Sequence, residues 1–179
     1  ARLNLIFDRG QLSFNSRRFD RALTDFKIVG DAARKGGYTA VDAQVTRWLY
    51  RTHVAMGNAA ETPGEMQKYF ELAQASAQTL GDSGQQSVLR CTMRLARVME
   101  LRAIEHQAAA AEKLAAGNKS AAQSIEDQRH AVLTDAVKLA RKIAENYVDL
   151  RVPDIQIGPN ADNSVRDTED TPLMSAGVW

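Results

Sequence analysis

Apolar residues recur along this chain at intervals of three and four, and that spacing divides most of it into six predicted helices. The first runs from about Leu3 to Phe14. The second runs from about Arg17 to Lys35, with Phe19, Ala22, Leu23, Phe26 and Val29 as its apolar stripe. The third, from about Ala40 to Met56, turns Val41, Val45, Trp48, Leu49, Thr52 and Ala55 inward. The fourth, from about Pro63 to Leu80, does the same with Met66, Phe70, Ala73, Ala77 and Leu80. A fifth from about Gln85 to Ala115 and a sixth from about Ala121 to Val148 are longer, and at the rise of an α-helix each spans about 40 Å. The sixth carries Ile125, Val132, Ala136, Leu139 and Ile143 on one face.

Polar punctuation supports these boundaries. Thr39 with Asp42, Thr62-Pro63-Gly64-Glu65, and Ser120 with Gln123 read as capping-box starts, each offering a side-chain oxygen to unpaired amides. Gly36-Gly37 and Gly81-Asp82 read as stops. Ala116-Gly117-Asn118-Lys119 is a turn that folds the fifth and sixth helices into an antiparallel hairpin. The distal stretch Gln107 to Ala122 is alanine-rich and has little bulk to bury, so it is expected to protrude as a two-helix finger or to be covered by a neighbour.

Beyond Arg151 the helical pattern ends. Pro153, Gly158, Pro159, Asn160, Asn163 and Pro172 interrupt any helix, Ile155-Gln156-Ile157 can add an extended strand to a partner, and Met174 to Trp179 is apolar. The expected organisation is a helical domain over 1–149 and an extended arm over 150–179. The domain comprises two short helix pairs in 1–82 and a long hairpin in 83–149. The arm folds back on the bundle or docks on another subunit, with Ile155, Ile157 and Trp179 as its contact residues.

Composition narrows the class. Hydrophobic residues make up 44% and aromatics only 6%, a balance that suits packed helices rather than sheets. The single cysteine, Cys91, lies inside an amphipathic run and is expected to be a buried thiol. No apolar run is long enough to span a bilayer, and Ala1 to Asp8 does not read as a signal peptide. The expectation is a soluble protein, cytoplasmic or within a large assembly. Net charge is +1, unevenly spread: residues 152–179 carry Asp154, Asp162, Asp167, Glu169 and Asp170 against Arg166 alone, which leaves the preceding body at +5. That excess is too dilute for a dedicated nucleic-acid binder.

Gly10, Phe19, Ala22 and Phe26 resemble a tetratricopeptide repeat, whose second helix carries Ala-x-x-x-Phe at this distance from a glycine of the first. Gly57, Phe70 and Ala73 form a looser second match. The similarity covers residues 1–82 best. Phe26 and Phe70 stand 44 positions apart, more than one repeat length of about 34, and the insertion Ala59 to Gly64 takes up part of the difference. Ser13 stands where the repeat has an aromatic and Met66 where it has alanine, so an irregular helical bundle is the competing architecture. If the chain is built like such a repeat, the resemblance implies a concave groove lined by the first helix of each pair, with Arg47 and Arg51 facing it. Arg90, Arg94 and Arg97 lie comparably on the fifth helix. Guanidinium groups one turn apart on neighbouring helices grip carboxylates by charge-assisted, bidentate hydrogen bonds. The competing reading is a solvated face whose arginines pair with Glu100 or Glu105.

Catalytic chemistry is not evident in the sequence. His53, His106 and His130 lie far apart, no Glu-x-x-His pair occurs, and there is no nucleophile elbow, phosphate loop or dinucleotide fingerprint. No metal and no cofactor are expected. Arg17, Arg18 and Arg21 read as solvating charges at a helix start, and Trp48 as core. The expected role is that of a non-enzymatic interaction or scaffold protein whose partners are other protein subunits, including an acidic peptide. The alternative is a structural subunit of a large symmetric assembly, such as a virion or head-to-tail component.

Overall fold

A computed structural model describes residues 2–146, which form six α-helices and one short 3-10 turn, with no strand among the described residues. The helices are α1 (Arg2–Asn15), α2 (Phe19–Gly36), α3 (Thr39–Ala59), α4 (Pro63–Gln78), α5 (Gln85–Ala115) and α6 (Lys119–Asn146); the 3-10 turn, Gly81–Gly84, links α4 to α5. The expected arm over 150–179, with Ile155, Ile157 and Trp179, lies outside the described residues. None of the described helices is long and apolar enough to cross a membrane.

Local chemistry sets the helix ends. Gly37 adopts φ 69°, which a side chain would resist, and the Tyr38 N–H then donates back to the Ala33 carbonyl at 2.9 Å. The Thr62 hydroxyl accepts the Glu65 N–H at 3.3 Å, with Pro63 next to it in the first turn, where its missing N–H loses no bond. Two expected caps differ. α3 starts at Thr39 itself, with Tyr38 before it and no side-chain cap. At α6 the capping oxygen comes from Asn118, which accepts the Ala121 N–H at 3.1 Å, so the helix begins earlier than Ser120 would set it.

Successive helices pack as hairpins, and the contacts run chiefly between sequence neighbours, from α1 against α2 through to α5 against α6. Three apolar clusters follow this order. Phe7, Ala22, Phe26, Val29 and Val45 join α1, α2 and α3; Tyr50, Val54, Ala73, Ala77 and Cys91 join α3, α4 and α5. Met66, Phe70, Leu95 and Val98 form the third, with Leu139 of α6 packed against it. Each cluster is shared by three consecutive helices, so the core grows along the chain rather than around one centre.

Two glycines permit the closest approaches. A Cβ on Gly10 would stand 2.8 Å from the Phe26 ring, and one on Gly57 would stand 2.5 Å from the Phe70 ring. In both pairs the ring edge of a phenylalanine of the second helix comes close to bare backbone of the first. Where an aromatic was expected at Ser13, the neighbouring Phe14 takes up the space, lying 5.8 Å from Phe19 and 5.4 Å from Trp48 between ring centroids. Trp48 stacks on Phe26 at 5.5 Å, as a core residue should. Arg9 and Asp25 tie α1 to α2 through two hydrogen bonds of 2.9 and 2.6 Å, and Asp25 is buried while Arg9 remains half-exposed.

Candidate binding surface on the third and fifth helices

α3 is buried on more than the single face expected for it. Val45, Thr52 and Ala55 are buried as expected, but so are Tyr50, His53, Val54 and Asn58, because this helix packs against α2 and α4 and shares a side-chain cluster with Cys91 of α5. Polar side chains are therefore enclosed at the middle of the stack.

Tyr50 organises this region. Its ring, 2% exposed, lies in the second cluster beside Cys91, and its hydroxyl approaches Ser87 without reaching hydrogen-bond geometry. Burial raises its phenol pKa, Cys91 adds to that shift, and Arg94, Ser87 and Arg90 oppose it. Tyr50 thus brings Arg90 and Arg94 of α5 against α3. Arg94 is only 6% exposed, and its guanidinium lies 6.0 Å from the Phe70 ring centroid. Its Nε and Nη1 have no hydrogen-bond acceptor among the described residues. Buried donors of this kind ordinarily carry a partner, since leaving a charged group unsatisfied costs several kcal/mol, roughly.

On α3, Arg47 and Arg51 are half-buried and one turn apart. The Arg51 guanidinium stands 4.9 Å from the Trp48 ring centroid. Burial lowers the Arg51 pKa, Tyr50 offsets part of that shift, and the like charge of Arg47 adds to it. Arg97 behaves differently from the other four. It is exposed and paired with Glu100, the partner named for the solvated alternative. Arg90 and Arg94 of α5 thus lie near Tyr50, Arg47 and Arg51 lie close to each other on α3, and Arg97 lies on the outer surface.

Other polar groups have structural roles. His53 is 7% exposed with no partner for Nδ1, and burial together with Lys27 lowers its pKa to about 4, so it is neutral at pH 7. His106 is half-buried and His130 is exposed. Cys91 is buried as expected, and burial raises its thiol pKa to about 12, which suppresses the reactive thiolate. Among the described residues no three His, Cys, Asp or Glu side chains gather to hold a metal ion. Arg17, Arg18 and Arg21 are exposed around the start of α2.

Sequence reasoning missed Tyr50 and His53. Tyr50, Val54 and Gly57 follow one another at four and three residues, a second stripe beside the one headed by Val45, and two stripes mark a helix covered from two sides. That signal was available. The juxtaposition of Arg94 with Tyr50 was not, because it depends on where α4 places α5.

Comparison with protein-family models, with curated proteins and with solved structures finds no match for this chain. The described arrangement is a run of helical hairpins, with Arg47 and Arg51 on α3 and Arg90 and Arg94 on α5.

Proposed function

We propose that this protein is a non-enzymatic, tetratricopeptide-like interaction protein that holds an acidic protein segment on the arginine surface of α3 and α5. Arg94 carries the reading. It is a nearly buried guanidinium with two donors that have no acceptor among the described residues, one turn from Arg90 and near Tyr50, with Arg47 and Arg51 on α3. A carboxylate entering between the two helices would meet Arg94 where water is largely excluded, and each charge-assisted bond there contributes about 1.5–3 kcal/mol. The half-buried arginines around it supply charge without needing full desolvation.

Calorimetric titration of the full chain with a decaglutamate peptide at low salt tests this. The double variant Arg47→Gln and Arg90→Gln is expected to bind at least about tenfold more weakly, as loss of two partly screened charge contacts predicts. Unchanged affinity would remove the reading.

A second reading, a structural subunit of a large assembly, is favoured by a separate observation. Leu5 and Leu12, seven residues apart on α1, are 69% and 66% exposed, and Val137 on α6 is 60% exposed, so both end helices of the stack present apolar side chains outward. Solution mass separates the two. A concentration-dependent oligomer abolished by Leu5→Gln with Leu12→Gln supports assembly through α1, and an unchanged monomer excludes it.

A further inference from the structure

The antiparallel hairpin of α5 and α6 returns the chain to the arginine surface. Leu139 of α6 packs on the cluster containing Leu95 and Val98 of α5, beside Arg94. From Leu139 the helix continues seven residues to Asn146, about 10 Å further along α5 toward its start at Gln85. The described chain therefore ends on the stretch of α5 that carries Arg94 and Arg90. The next 33 residues hold Asp149, Asp154, Asp162, Asp167, Glu169 and Asp170, with Arg151 and Arg166 as the bases, while the body before residue 152 carries the positive excess. Asp154 follows Asn146 by eight residues, a span of at most about 28 Å, and Asp162 by sixteen, at most about 55 Å; both suffice to cross from α5 to α3.

We propose that the acidic segment Asp154 to Asp170 of this chain docks on the arginine surface of α3 and α5 in the same molecule, presenting carboxylates to Arg90 and Arg94. The occupant is named by charge complementarity and by the place where α6 delivers the chain. Rim charges of opposite sign steer and register such a contact. Where the surface also takes acidic partners, as proposed above, the segment is a built-in competitor, and that consequence alone rests on the functional reading. Tethered at an effective concentration of about 1 mM and docking with an intrinsic affinity near 0.1 mM, it lowers the apparent affinity for an external acidic peptide by about tenfold.

The test uses the full chain. A nitroxide is attached to Ser164→Cys; Cys91 is buried and its thiol pKa lies near 12, so it stays unlabelled. The expected result is loss of the amide signals of Arg47, Tyr50, Arg90 and Arg94 with those of Leu5 and Leu12 retained. The lost signals are expected to recover in 0.5 M salt and in the fourfold variant Asp162→Asn, Asp167→Asn, Glu169→Gln, Asp170→Asn. Signals lost uniformly, lost elsewhere, or lost only when labelled chains broaden the spectra of unlabelled ones would overturn docking within one molecule. Decaglutamate titration separates this result from the functional reading. Tighter binding to the fourfold variant supports both. Selective signal loss without decaglutamate binding to either chain upholds the docked segment and sinks the acidic-partner reading. Equal binding to both chains without selective loss does the reverse.

Discussion

α3 and α6 are both amphipathic by pattern, yet they are used in opposite ways. α3 packs against α2 and α4 and shares a side-chain cluster with Cys91 of α5, and its buried set includes Val45, Tyr50, Thr52, His53, Val54 and Asn58. α6 packs on α5, and its apolar residues Val132, Ala136 and Leu139 are only half-buried. In a stack with neighbour-to-neighbour contacts, position along the row decides how many faces a helix must bury. The inner helix consequently encloses polar side chains, and the outer helix leaves apolar surface half-covered.

Large-to-small substitutions test that difference most strongly. Phe70→Ala removes a ring that is fully buried against Gly57 and the third cluster, and is expected to cost about 3–5 kcal/mol in urea unfolding. Leu139→Ala, at a half-buried site of the same cluster, is expected to cost about 1–2 kcal/mol. Equal losses would erase the distinction between inner and outer helices.

The enclosed histidine sharpens the same contrast through pH. The native pKa of His53 is lowered from 6.5 to about 4, so below pH 6.5 the unfolded chain takes up a proton that the folded chain refuses. Its contribution to stability is therefore constant above pH 6.5, falls as pH drops toward 4, and levels off below that. The total is on the order of 2–3 kcal/mol. Unfolding curves of the natural chain and of His53→Gln are expected to diverge in slope between pH 6.5 and 4. Parallel slopes would place His53 in water.

A smaller effect is expected at the junction of α1 and α2. Arg9→Ala leaves the Asp25 carboxylate buried without its guanidinium and is expected to lower the melting temperature, by less than breaking a fully buried pair because Arg9 is half-exposed. The double variant Arg9→Met with Asp25→Asn is expected to recover part of the loss, which a thermal melt measures.

The helices were legible because their starts and stops carry strong local chemistry. Gly37, the Thr62-Pro63 pair and Gly117 act through backbone conformation or a neighbouring amide, so residues close in sequence suffice to place them. The displaced caps at α3 and α6 show the limit: Asn118 and Ser120 both offer an oxygen, and the turn geometry around Gly117 selects Asn118. The arginine surface was partly legible. Spacing placed Arg47 with Arg51 and Arg90 with Arg94 on their own helices. Burial of Arg94 against Phe70, the central place of Tyr50 and the pairing of Arg97 with Glu100 arise from packing between helices distant in sequence.

Mapping amide shifts during decaglutamate titration of the isotopically labelled full chain at low salt tests the central claim most directly. The account predicts shifts concentrated at Arg47, Tyr50, Arg51, Arg90 and Arg94 that saturate together, with Arg97 and the exposed arginines Arg17, Arg18 and Arg21 unchanged. Shifts spread over all exposed arginines and lysines, or concentrated at Arg17, Arg18 and Arg21, would contradict it.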